Sequence, residues 1–120
     1  MARTERIRAE LRGRRAERIA ALWLILKGYS ILAGNYRCHC GEIDLVAAKR
    51  GVLAFVEVKY RRDLAAARVA VSDSNWQRIS QSASYWAPTH PIANTLDWRY
   101  DLIAICPWRR PYHFTDFWRP

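Results

Sequence analysis

Two short stretches put acids where a sheet core would want apolar residues. One reads Gly41-Glu42-Ile43-Asp44-Leu45-Val46, the other Phe55-Val56-Glu57-Val58-Lys59-Tyr60. In each, charges alternate with apolar side chains, so in an extended strand the charged residues share one face. The segment between them turns at Arg50-Gly51. A hairpin centred there sets Asp44 opposite Glu57 and Glu42 opposite Lys59. Directly opposed residues of an antiparallel pair have Cβ atoms about 5 Å apart. Two carboxylates that close repel unless a proton or a cation intervenes. Mg2+ accepts one or two carboxylates and keeps several waters. Such an ion, Mg2+ or Mn2+, acidifies a water and polarises a phosphoryl oxygen. A lysine alongside orients the water or neutralises the phosphate. Asp44, Glu57 and Lys59 so arranged suit phosphodiester hydrolysis. The same alternation also fits a surface hairpin carrying a Glu42–Lys59 ion pair, and spacing alone does not choose between the two. A slip of one residue would send the carboxylates to opposite faces.

The elements that must position these residues follow from periodicity and turn chemistry. Residues 3–27 read as a helix that stops at Gly28. At 100° per residue Ala16, Ile19, Ala20, Trp23, Leu24 and Leu26 share one broad face, with Glu17 at its margin beside Leu24. The first half of that helix reads as a solvated basic arm. Strands are predicted over Tyr29–Arg37, Gly41–Ala48 and Val52–Tyr60, and Arg61–Val71 reads as an Ala-rich loop. A second helix is predicted over residues 74–86, with Ser74 and Gln77 as a capping box and Pro88 and Pro91 ending it. A fourth strand follows at Tyr100–Cys106 and a short fifth at Phe114–Trp118. The order is that of a mixed α/β sheet with helices packed against it. By length, 120 residues make one domain.

Composition narrows the function classes. With 51% apolar residues the chain is globular rather than disordered. Its longest apolar run, Ile19 to Leu26, is too short to cross a bilayer. No signal-peptide pattern is read at the N-terminus, so a cytoplasmic location is expected. Three cysteines, an odd count, argue for reduced thiols, and Cys38-His39-Cys40 reads as a polar turn between strands. The net charge is +9. Seven arginines, Arg3, Arg6, Arg8, Arg12, Arg14, Arg15 and Arg18, stand within the first helix, and arginine suits phosphate better than lysine does. Arg12, Arg14, Arg15, Arg18, Arg61 and Arg62 are therefore expected to contact nucleic acid. Asp101 is read as an anchor of its strand, His90 and His113 receive no role, and Trp98, Trp108 and Trp118 are assigned to core or dimer packing. A homodimer is thus a candidate assembly.

Gly41-Glu42-Ile43-Asp44-Leu45-Val46 and Phe55-Val56-Glu57-Val58-Lys59 resemble the YraN family of bacterial proteins. Glu17-Arg18-Ile19-Ala20, Asn35-Tyr36-Arg37, Arg99-Tyr100-Asp101-Leu102-Ile103-Ala104-Ile105 and His113-Phe114 extend the resemblance over nearly the whole chain. That family is similar to archaeal-type Holliday junction resolvases. The resemblance implies the restriction-endonuclease-like PD-(D/E)xK fold, a mixed sheet flanked by helices. It implies metal ligands at Asp44 and Glu57 with the Val58 backbone carbonyl as a third, Lys59 as the catalytic lysine, and Glu17 as a helical acid reaching the same site. Structured DNA ranks ahead of RNA as substrate, and a catalytically inert nucleic-acid binder that keeps the fold is the alternative. Two positions depart from the family pattern: Asn75 stands where a basic residue is usual, and Tyr60-Arg61-Arg62-Asp63-Leu64 lacks glycine.

Overall fold

A computed structural model describes residues 2–120. Helix α1 runs from Arg3 to Leu26, followed by strands β1 (Ser30–Cys38), β2 (Gly41–Lys49) and β3 (Val52–Tyr60). Then come a short helix α2 (Leu64–Arg68), helix α3 (Asp73–Trp86), two 3-10 turns, and strands β4 (Asp97–Ile105) and β5 (Tyr112–Trp118). The five strands form one sheet in sequence order, antiparallel throughout except that β3 and β4 run parallel. A parallel neighbour needs a crossover, and α2 and α3 supply it. The result is a mixed sheet flanked by helices, as the restriction-endonuclease-like reading expects.

Both faces of the sheet are covered. Trp76, Ile79, Ala83 and Trp86 of α3 pack on Ile43, Val46, Leu53, Phe55 and Leu102. On the other face Ala16, Ala20 and Leu24 of α1 pack on Leu45, Ala47, Ala54, Val56 and Ile103. The buried face of α1 is narrower than its hydrophobic pattern predicts: Ile19 is 39% exposed and Leu26 72%. A straight helix laid on one sheet face buries only its nearest row, here residues spaced by four. The end of α1 is set by glycine. Gly28 sits at φ 95°, and the N–H groups of Gly28 and Tyr29 donate to the carbonyls of Ile25 and Leu24, closing the last turn.

The β2–β3 turn is the one the spacing predicts. Arg50 and Gly51 have φ of 45° and 81°, the positive pair of a type I′ turn, and Lys49 faces Val52 across it. Elsewhere boundaries move. The loop after β3 contains α2, whose first turn is capped by Asp63 accepting from the Ala66 N–H at 2.8 Å. Helix α3 is capped by Ser72, not Ser74: Ser72 Oγ accepts from the Asn75 N–H at 3.1 Å. That start places Asp73 in the first turn, where the helix dipole favours an acid. No helix among the described residues is long and apolar enough to cross a membrane.

Candidate active site

Strand β3 is buried on both faces from Leu53 to Val58, and such central strands are normally a continuous apolar run. Glu57 interrupts it at 6% exposure. Its neighbour across the sheet is produced by a defect. The β2–β3 ladder is regular from Lys49↔Val52 to Leu45↔Val56 and stops there. On the other side of β2 the β1 ladder skips Asn35 and Asp44, and Asn35 adopts φ 51°. So β2 peels away from β3 at Asp44. The Asp44 side chain takes over where the strand's own carbonyl has left: its Oδ2 accepts the Val58 N–H at 2.8 Å.

This brings the Asp44 and Glu57 carboxyls into hydrogen-bond contact, beside each other as the hairpin spacing predicts. Burial, then the hydrogen bond and charge of Asp44, drive the Glu57 pKa far above the usual carboxylate range, and Lys59 opposes the shift. Lys59 Nζ lies 3.8 Å from Glu57 Oε2. The predicted Glu42–Lys59 pair does not form. Because β2 has diverged, Glu42 reaches back to β1 and pairs with Arg37 at 3.2 Å, leaving Lys59 to Glu57.

Glu17 enters from α1, one position past the buried Ala16. Burial first, then the charges of Asp44 and Glu42, raise its pKa from 4.5 to about 7. Its Oε1 is buried with no hydrogen-bond partner. A buried acceptor left unsatisfied is uncommon and asks for a water or an ion. Around these acids the surface opens three ways. Glu57, Lys59, Glu42, Arg37, Asn75 and Arg78 line one cleft; Glu17, Asp44, Arg14 and Asn35 line another; Arg12, Lys59, Arg61 and Arg62 line a third. Arg15 and Arg18 are exposed on the side of α1 turned away from Ala16, Ala20 and Leu24, and they border none of these openings. Arg78 and Arg37 are the basic residues that the sequence reading missed. Arg78 stands one helical turn after Asn75, so α3 still presents a cation to the cleft. The Cys38-His39-Cys40 turn edges the same cleft, with the two sulfurs 3.5 Å apart as free thiols.

No group of three His, Cys, Asp or Glu side chains stands at metal-ligand spacing among the described residues. A cation here would rest on two carboxylates, a backbone carbonyl and water, a set that suits Mg2+ or Mn2+ rather than zinc. Two touching carboxyls, with the proton affinity of Glu57 raised by burial and by Asp44, and an orphaned oxygen beside them, fit such an ion.

Asp101 belongs elsewhere. It is fully buried on β4 and takes Arg99 at 2.8 and 2.7 Å, His113 Nε2 at 2.7 Å and the Asp116 N–H at 2.9 Å. Lys27 Nζ lies 2.7 Å from His113 Nδ1. With the ammonium donating there, Nε2 carries the proton given to Asp101. His113, left without a role by its spacing, ties β5 to α1 through this chain. Trp118 stacks on Trp76 and Trp98 sits edge-on to Phe55, whereas Trp108 lies outside the core altogether.

The profile of the uncharacterised protein family UPF0102 matches residues 16–105. A UPF0102 protein of Nitrobacter winogradskyi is 48% identical over 108 residues, covering 90% of this chain and 92% of the relative. One of Agrobacterium fabrum is 45% identical over 112 residues, covering 93% and 92%. One of Caulobacter is 46% identical over 110 residues, covering 92% and 79%.

Proposed function

Because this chain belongs to the UPF0102 family, the YraN family of the sequence resemblance, and that family's description names no activity, we propose from the site itself a metal-dependent phosphodiesterase acting on nucleic acid, structured DNA first. The observation that carries this reading is the junction of Asp44 and Glu57 where β2 leaves β3, beside the unsatisfied Glu17 oxygen. Asp44, Glu57 and the Val58 carbonyl are the ligands of Mg2+ or Mn2+. The bound ion supplies an acidified water and polarises the phosphoryl group. Lys59 holds the attacking water or the phosphate at the mouth of the cleft. Glu17 positions a second water against Asp44. Arg12, Arg61 and Arg62 on one side and Arg14 on the other grip the flanking phosphates. In the reaction the water oxygen bonds to phosphorus, the phosphorus–oxygen bond to the leaving strand breaks, and that oxygen takes up a proton.

The test is a cleavage screen over duplex, single-stranded, flapped and four-way DNA and over RNA, each with Mg2+ and Mn2+, with Asp44→Asn as control. Metal should also raise the melting temperature of the wild type and not of Asp44→Asn, since a ligand of the folded state alone stabilises it. Equal shifts in both proteins would place the ion elsewhere. A second reading, an inert binder with this fold, is favoured by the lack of a three-side-chain ligand group among the described residues. It prevails if every substrate is bound and none is cut.

A further inference from the structure

Trp108 is 103% exposed. An indole has one of the largest apolar surfaces of any side chain, and solvent is its least favourable surroundings. It sits at the tip of the β4–β5 hairpin, between Pro107 and Pro111, with its own φ at 64°. Its neighbours Arg109 and Arg110 are exposed too.

The sheet fixes where this tip points. β3 and β4 are parallel, with Lys59 beside Ala104 and Tyr60 beside Ile105. The Arg61 N–H donates to the Ile105 carbonyl at 3.1 Å. The chain past Ile105 therefore leaves the sheet at the same end as Lys59, Arg61 and Arg62. Trp108 lies three residues beyond Ile105, a reach of at most about 11 Å. That is roughly three base steps of about 3.4 Å.

Resting on the nucleic-acid reading above and deepening it, we propose that Trp108 is a stacking platform for an unpaired base, with Arg109 and Arg110 on the adjoining phosphates. An indole face accepts any base, because every base has a π-face, and arginines on either side supply sequence-independent grip. The interior of a duplex offers no free base face. The tip therefore selects single-stranded, flapped or branched substrate and sets it within about six nucleotides of Glu57, which lies in register with Leu102, six residues before Trp108.

The experiment measures affinity of wild type, Trp108→Ala, Trp108→Phe and Arg109→Ala/Arg110→Ala for labelled single-stranded, flapped and blunt duplex DNA over a salt series. Trp108→Ala should lose about 5- to 150-fold on single-stranded and flapped DNA. It should keep duplex affinity and the salt slope, and Trp108→Phe should recover most of the loss. The double arginine variant should lower the single-strand salt slope by about 1.4. Melting curves check that each variant folds, which an exposed tip leaves undisturbed. Equal binding of Trp108→Ala and wild type, or an equal loss on duplex, overturns the platform while wild-type cleavage still upholds the nuclease reading. A changed sedimentation coefficient for Trp108→Ala overturns it in favour of an interface between copies. If wild type binds none of the substrates, the nuclease reading falls first and the platform with it.

Discussion

The sheet buries two acids on adjacent strands, and they are treated in opposite ways. Asp101 on β4 receives four hydrogen bonds, from Arg99 twice, His113 and a backbone N–H. Burial would raise its pKa, but the bonds from His113, Arg99 and the Asp116 N–H outweigh that and hold the carboxyl below its usual range. Glu57 on β3 has a second carboxyl against it and one lysine at 3.8 Å, and its pKa moves the other way. The protein has the means to neutralise a buried acid and uses them at only one of the two. The fully bonded acid is a fastener. On the proposed reading the under-bonded one is where the cation would sit.

Substitution should break the two regions differently. Asp44→Asn and Glu57→Gln should reduce cleavage by about 10^3-fold or more, and the double variant should cost little beyond either alone, because residues acting as one unit are not additive. Without metal both should be about as stable as wild type, since the pair then shares a proton and either amide can replace that hydrogen bond without adding a charge. Single-turnover cleavage together with urea unfolding checks both halves. A marked loss of stability would mean that the pair is a fastener after all.

Asp101→Ala should do the reverse. Removing one partner of a buried charge network costs about 3–5 kcal/mol and leaves Arg99 and His113 unmatched. The acid range sharpens this. Asp101 has a depressed folded pKa, so its contribution is complete above the unfolded value of about 3.9 and is lost as pH falls through the folded value. Glu17 has a raised one, so in metal-free protein its contribution is complete below 4.5 and is lost as pH rises through about 7. Unfolding curves from pH 3 to 8 should show Asp101→Asn lacking the acid limb of wild type. Glu17→Gln should lack a decline between about pH 4.5 and 7. Parallel curves for wild type and both variants would erase the contrast.

The smallest effect concerns the arginines. Replacing Arg12, Arg61 and Arg62, which border the cleft, should lower the salt slope of duplex binding by about 0.9 for each phosphate no longer neutralised. Replacing Arg15 and Arg18, on the outer side of α1, should change it less. A larger change from the outer pair would move the binding face off the carboxylate cleft.

Much of this was legible in the sequence because it is local. The Arg50-Gly51 turn fixes the hairpin register, and alternation then puts Glu57 and Lys59 on one face. Alternation also carried the reading one step too far, to a Glu42–Lys59 pair. Nothing in the order of residues says that β2 departs from β3 at Asp44, opposite an Asn35 in the left-handed region on the other neighbouring strand. The His113–Asp101 bond and the Lys27–His113 bond join residues 12 and 86 positions apart, which no periodicity reports. Ser74 with Gln77 is the fuller capping box on paper, yet Ser72 caps α3.

The tight turn at Arg50-Gly51 has a consequence for which mutations the cleft tolerates. Arg50 lies six residues from Asp44 and Gly51 six from Glu57, roughly 20 Å of strand. Exchanging the turn's side chains for others that accept a positive φ leaves the acids where they are. Adding or removing a single residue would rotate one strand's pattern by half a turn and drive Glu57 into the alanines beneath α1. Variation at that bend should accordingly be confined to residues that accept a positive φ and be strict in count: a distant stretch of backbone acts as a spacer gauge for the site.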